Sequence, residues 1–191
     1  MEVGVLALQG AFREHRKLLK DCGMASREIR KPEQLEGIDG LIIPGGESTT
    51  IGKLMVEFGL MEPVKDMALK GLPVFGTCAG LVLMAKDIQG SNQPRLGLMD
   101  VEVVRNGFGR QVESFEADLE ISALGMLPFH GVFIRAPYIE KVSPNIGILA
   151  SLEDKIVFAR QGNFLVCSFH PELTDDTRVH HYFLEMVKEG C

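Results

Sequence analysis

Leu72-Pro73-Val74-Phe75-Gly76-Thr77-Cys78-Ala79-Gly80-Leu81-Val82-Leu83-Met84-Ala85 reads as a short buried strand, a turn of small residues, then a helix. With a cysteine at the turn, that order is the nucleophile-elbow pattern. Glycines on both sides let the backbone turn sharply and pack closely beneath the central residue. The following helix points its N-terminus at the sulfur of Cys78, and its partial positive charge favours thiolate over thiol. A free cysteine titrates at roughly 8.5, and such surroundings lower that by about one to several units. The segment therefore predicts covalent cysteine catalysis on an α/β scaffold.

The same alternation of apolar strand and periodic helix extends on both sides. Residues 3–8 predict a first strand, and Ala11, His15, Leu18, Leu19 and Cys22 then share one helical face. Residues 40–43 predict a second buried strand, stopped by Pro44-Gly45-Gly46 and followed by a helix with Ile51, Leu54, Met55 and Phe58 facing inward. After about residue 95 the strands become shorter and turn-punctuated, at 97–104, 131–134, 148–152, 156–159 and 164–168. Part of this second half is expected to pair antiparallel. A last helix over 175–188 places Val179, Tyr182, Phe183, Met186 and Val187 on one side. With no internal repeat, low-complexity tract or linker, residues 1–191 are expected to form one α/β domain around a mostly parallel open sheet.

Composition narrows the class. Hydrophobic residues make up 46% and charged residues 24%, a globular balance. A net charge of −6 works against nonspecific binding to nucleic acid or anionic lipid, so neither nucleic acid nor membrane is an expected partner. No apolar run approaches the roughly 20 residues that span a bilayer. Met1-Glu2 offers no basic region, so residues 3–8 read as a strand and not as a signal peptide. Cys22, Cys78, Cys167 and Cys191 show neither zinc-ligand spacing nor a disulfide framework, which favours the reducing cytoplasm.

A thiol nucleophile needs a base and a group to orient it. Of His15, His130, His170, His180 and His181, His170 stands out, because Cys167-Ser168-Phe169-His170-Pro171-Glu172 follows a buried strand. The carboxyl ends of strands are where open α/β sheets build their sites. Pro171 stiffens the turn and Glu172 reaches back to the imidazole, so Cys78, His170 and Glu172 take the roles of a catalytic triad. For an oxyanion hole, the Ala79 amide supplies one donor and the Gly46 region, in Pro44-Gly45-Gly46-Glu47-Ser48-Thr49-Thr50, supplies a second. These features alone leave open a cysteine peptidase or another amide hydrolase, or a regulatory subunit that keeps the fold.

Longer segments separate these readings. Leu6-Ala7-Leu8-Gln9-Gly10 with Arg13-Glu14-His15, the Gly45 to Thr50 loop, Arg105-Asn106, Phe108-Gly109-Arg110-Gln111 and Ser114-Phe115-Glu116 form part of a pattern that continues with Phe133-Ile134-Arg135-Ala136-Pro137 and Ser168 to Thr174. Nearly end to end, the chain resembles the glutaminase subunits of pyridoxal 5′-phosphate synthase, a family of class I, triad-type glutamine amidotransferases. The resemblance implies a flavodoxin-like fold and hydrolysis of L-glutamine to glutamate and ammonia by Cys78, His170 and Glu172. It implies that Gly46, Glu47, Ser48, Arg105, Ile134 and Arg135 hold the glutamine, and that ammonia passes to a partner synthase subunit. It also implies activation by that partner, with Gln9 and the Gly46 loop near the switch. No cofactor and no metal are expected. Gly107 stands where the family pattern leads to alanine, and Val112-Glu113 lies in a variable stretch.

Plainer readings apply elsewhere. Cys22 and Cys167 are expected in the core and Cys191 at a frayed terminus. Adjacent His180 and His181 point in different directions on a helix, which argues against a metal pair. His15 and His130 read as structural. Gly45 to Leu54 lacks Walker spacing, since five residues separate Gly46 from Gly52 and Leu54 follows Lys53. Without the resemblance, Arg105 and Arg135 read as ordinary surface residues.

Overall fold

Val3, Val5, Ile42, Phe75, Leu165 and Cys167 pack on one face of a sheet, while Leu6, Leu41, Ile43, Val74 and Val166 pack on the other. This period-two alternation of wholly apolar strands requires cover on both faces. The computed structural model describes residues 1–108 and 113–190. Gly109, Arg110, Gln111, Val112 and Cys191 lie outside the described residues, and with them the readings placed on Cys191, on Val112 and on most of the Phe108 to Gln111 segment.

In chain order the elements are β1 (Glu2–Leu6), α1 (Phe12–Asp21), β2 (Ala25–Ile29), β3 (Gly40–Ile43), α2 (Ser48–Glu57), α3 (Met61–Leu69), β4 (Val74–Thr77) and α4 (Ala79–Met84). There follow β5 (Ala85–Ile88), β6 (Met99–Val104), β7 (Ser114–Leu119), β8 (Phe129–Ile134), β9 (Tyr138–Val142), β10 (Gly147–Leu152), β11 (Lys155–Gln161), β12 (Phe164–Cys167) and α5 (Arg178–Glu189). The main sheet runs β2-β1-β3-β4-β12-β11-β9-β6-β5, with β10 added on β11. From β2 to β12 every pairing is parallel. Beyond β12 the pairings to β11, β9 and β6 are antiparallel, as the turn-punctuated second half predicts. A separate antiparallel hairpin, β7 and β8, lays Leu119, Phe129 and Phe133 onto the α1 and α5 side.

Several elements differ from the sequence reading. β2 and α3 carry no clear signal: β2 is an edge strand held by Arg27 to Glu2 and by Arg16 to Glu28 rather than by burial on both faces. Phe58, expected to face inward, is 48% exposed, because α2 ends at Glu57 and Phe58 is its C-cap. Cys22 is half-buried rather than a full core residue, while Cys167 is buried as expected. At Gly107, where the resemblance leads to alanine, a Cβ would collide with the Tyr138 ring.

The elbow depends on close approach. A Cβ on Gly80 would collide with the carbonyl oxygen of Ile43 in β3, and one on Gly76 would stand 2.6 Å from the Gly80 backbone. Gly80→Ala is therefore expected to lower stability by about 1–3 kcal/mol through overpacking against rigid backbone. Urea denaturation at equilibrium measures this, and an unchanged midpoint would show that α4 can shift freely away from β3.

Candidate active site

Four carboxyl-terminal strand ends converge: Leu8 to Ala11 after β1, Pro44 to Glu47 after β3, Cys78 after β4 and Ser168 to Glu172 after β12. Cys78 itself occupies a strained backbone position, with φ +48° and ψ −97°. A non-glycine residue there costs on the order of 1–3 kcal/mol and persists only when its neighbours enforce it. Here the Cys78 amide donates to the Cys167 carbonyl at 2.8 Å, which pins the elbow to the neighbouring strand β12.

His170 follows β12 and stands beside Cys78, with Glu172 on its far side. The ring Nδ1 and Glu172 Oε1 lie 2.7 Å apart, and both residues are buried. Burial alone pushes the imidazole pKa down, but hydrogen bonding to Cys78 and to Glu172 overrides it and lifts His170 to about 10. Burial likewise pushes the Glu172 carboxyl up, and the histidines around it hold it below its ordinary value. The Cys78 sulfur also approaches the Ile134 carbonyl, at 3.9 Å. Gly45 packs over this pair so closely that a Cβ there would meet His170 Nδ1 at 2.8 Å and the Cys78 Cβ at 3.5 Å.

Cys78, Ala79 and His170 line a cleft of about 510 Å³ together with Gly46, Glu47, Ser48, Arg105, Ile134 and Arg135. That volume suits a small molecule. Glu172 sits behind the ring. Ala79 is the first residue of α4, and an N–H in a helix's first turn has no acceptor within the helix.

The glycine loop is tied down on its outer side. Ala11 N–H donates to the Gly45 carbonyl at 3.0 Å, Gly45 N–H to Thr77 Oγ1 at 2.9 Å, and Glu47 N–H to Gln9 Oε1 at 2.8 Å. The Glu47 carboxylate accepts from Thr49 N, Thr50 N and Thr50 Oγ1, so it acts as the N-cap of α2. Burial raises its pKa, but those bonds outweigh the effect and hold the carboxyl below its usual range.

Arg105 Nη1 donates to Gln93 Oε1 at 2.9 Å and to Thr49 Oγ1 at 3.1 Å. The buried Gln93 oxygen also accepts from Ser48 Oγ at 3.3 Å. Among the described residues, neither Arg105 nor Arg135 is paired with a carboxylate. The sequence reading missed Gln93, which lies in an irregular stretch with no periodicity to mark it. It also read His15 and Thr77 without a link to the site, a link that only the fold creates. His180 is buried against His15 while His181 is exposed, in line with two directions on one helix. Among the described residues no group of three or more His, Cys, Asp or Glu is placed to hold a metal ion, and no helix is long and apolar enough to cross a membrane.

Residues 5–189 match the model of the SNO glutamine amidotransferase family. Curated relatives include the pyridoxal 5′-phosphate synthase subunit PdxT of Moorella thermoacetica, 67% identical over 98% of this chain and 100% of that protein. The subunit of the same name from Carboxydothermus hydrogenoformans is 62% identical over 100% of both chains. A solved structure described as a glutamine amidotransferase superposes with a TM-score of 0.93 at 55% identity, covering 97% of this chain and 98% of that one.

The raised pKa of His170 has a defined sign. Stability from the protonated ring is fully present below its unfolded value of roughly 6.5 and is lost as pH rises through about 10. Histidine NMR titration of the full chain is expected to place the ring midpoint near 10, and Glu172→Gln to lower it by about 1–3 units. A wild-type ring titrating at its ordinary value would show that the contacts to Glu172 and Cys78 do not form in solution.

Proposed function

The chain belongs to the SNO glutamine amidotransferase family, and we propose that it releases ammonia from L-glutamine at Cys78 as the glutaminase subunit of a pyridoxal 5′-phosphate synthase. The observation that carries this reading is the meeting, in one cleft, of a strained cysteine, a carboxylate-held histidine and two arginines that, among the described residues, have no acid partners.

Arg105 and Arg135 offer charge to the α-carboxylate of free glutamine, for which a planar guanidinium fork is suited. Gly46, Glu47, Ser48 and Ile134 complete the wall and leave the side-chain amide facing Cys78. The sulfur attacks the amide carbon, and the Gly46 and Ala79 amides take up the charge that develops on the oxygen. Each such donor is worth about 2.7–4 kcal/mol in transition-state stabilisation. As the C–N bond breaks, His170 hands its proton to the departing nitrogen and ammonia leaves, with a glutamyl thioester on Cys78. The neutral imidazole then takes a proton from water, hydroxide adds to the thioester carbon, and collapse releases glutamate and expels the sulfur as a thiolate beside the reprotonated ring, the state from which the cycle began.

Ammonia free in neutral water is mostly protonated and no longer nucleophilic, which favours direct transfer to the synthase subunit. The cytoplasm suits this chemistry, since its reducing conditions keep Cys78 as a thiol.

Two outcomes are expected with the complex of both subunits. Wild type releases ammonia from glutamine, whereas Cys78→Ala does not, yet still supports cofactor synthesis when an ammonium salt is supplied. Synthesis from glutamine by the alanine variant at the wild-type rate would refute the proposal. Gly45→Ala is expected to cut kcat/KM by about 10²-fold, because the added methyl displaces His170 while leaving both arginines in place.

A further inference from the structure

Behind the cleft lies a polar group that the proposed reaction does not use. His15, on α1, and His180, on α5, are both fully buried, with His15 Nδ1 2.9 Å from His180 Nε2. The Phe75 ring packs against both in edge-on geometry, its centroid 6.3 Å from that of His15 and 6.1 Å from that of His180, so one side of the pair is apolar. On the other side, His15 Nε2 is 3.1 Å from Thr77 Oγ1 and 3.4 Å from Glu172 Oε2. That carboxylate oxygen is buried and, among the described residues, has no hydrogen-bond partner, and neither does His180 Nδ1.

One arrangement of protons suits these contacts. A proton on His15 Nδ1 would turn the Nε2 lone pair toward a carboxylate oxygen. It would also force the His180 proton onto Nδ1, a buried donor with no acceptor. A proton on His15 Nε2 faces Glu172 and Thr77 instead, while His180 Nε2–H donates to His15 Nδ1. Of the four ring nitrogens, only the bare Nδ1 of His180 is then left without a partner among the described residues.

We propose that His15 is a positioning residue: its Nε2–H, set by His180, steadies the free oxygen of Glu172 and so holds the carboxylate on His170. The effect is that of a fixed N–H dipole. Burial, foremost, keeps His15 neutral against the opposite pull of Glu172, with His170 reinforcing burial. Burial and His15 likewise hold His180 well below its ordinary value. The groups facing Glu172 are His15 from α1, His170 from its own turn and Cys167 from β12. Those facing the histidine pair are Glu14, His170 and Glu172 at His15, and His181 at His180. Cys78 bears on both His170 and Cys167. Through Thr77, which accepts the Gly45 amide, the same imidazole also borders the anchor of the glycine loop.

The inference rests on the triad reading, and its test separates the two. Long-range proton–nitrogen NMR on the histidine rings of the full wild-type chain is expected to find the His15 proton on Nε2. In H15F the His170 midpoint is expected to fall by about one unit or more, and H15Q, which keeps a donor at the Nε2 position, to restore it. In the complex, kcat for glutamine in H15F is expected to fall about tenfold or more, with KM little changed. A proton on Nδ1 in wild type, or a folded H15F whose His170 titrates as in wild type, would overturn the inference. Should H15F fail to fold, the wild-type tautomer still decides. Absence of glutamine hydrolysis by the wild-type complex would sink the functional reading and leave the ring titrations to judge His15 separately.

Discussion

Backbone-on-backbone contact between the elbow and β3 is the constraint on which the rest of the site depends. Gly80 rests on the Ile43 carbonyl and Gly76 on Gly80, so β4 and α4 meet at a turn too tight for ordinary dihedral angles. Cys78 takes up that turn at φ +48°, and the hydrogen bond from its amide to the Cys167 carbonyl transfers the strain to the sheet. Apolar burial on both faces carries the cost, since a few kcal/mol is small beside the area those strands remove from water. The result is a thiol lifted above the sheet with very little freedom. Gly45 extends the same principle by letting the glycine loop lie directly over His170.

Charge is distributed around that frame by burial. Glu172 is a buried carboxylate with the imidazoles of His170 and His15 beside its two oxygens. Such a group is stable only while its neighbours point positive hydrogens at it, which makes the histidines part of the carboxylate's solvation. The cleft wall shows the opposite balance. Arg105 is oriented by the oxygens of Gln93 and Thr49, which align the guanidinium without cancelling its charge. The cleft therefore presents a cation held in position, with no carboxylate paired to it among the described residues.

That Cys78, His170 and Glu172 come together was legible because each lies next to an apolar strand, where period and turn chemistry mark the position. That Arg105 and Arg135 line the same cleft was expected only through resemblance, since nothing in their spacing distinguishes them from surface residues. Glu47, which the resemblance also assigns to the cleft, lines it in the structure while its carboxylate caps α2, a local role that the sequence reading did not give it. His15 was assigned to a buried helical face correctly, but its partners lie 62 and 165 residues away, at Thr77 and His180, and no local pattern encodes such pairings. Phe58 failed for a related reason, because helical periodicity does not say where a helix stops. β2 escaped notice since its polar side chains serve an edge.

The place of β12 in the sheet has a consequence for how the molecule is made. It follows every other strand in the chain, yet it inserts between β4 and β11, in the middle of the sheet. A ribosome thus delivers Cys78 roughly ninety residues before the strand that braces its turn and the imidazole that stands beside it. Until that late segment docks, the elbow has no Cys167 carbonyl to hold. The strained turn is therefore fixed only with closure of the sheet, and an incomplete copy carries Cys78 on a loose backbone.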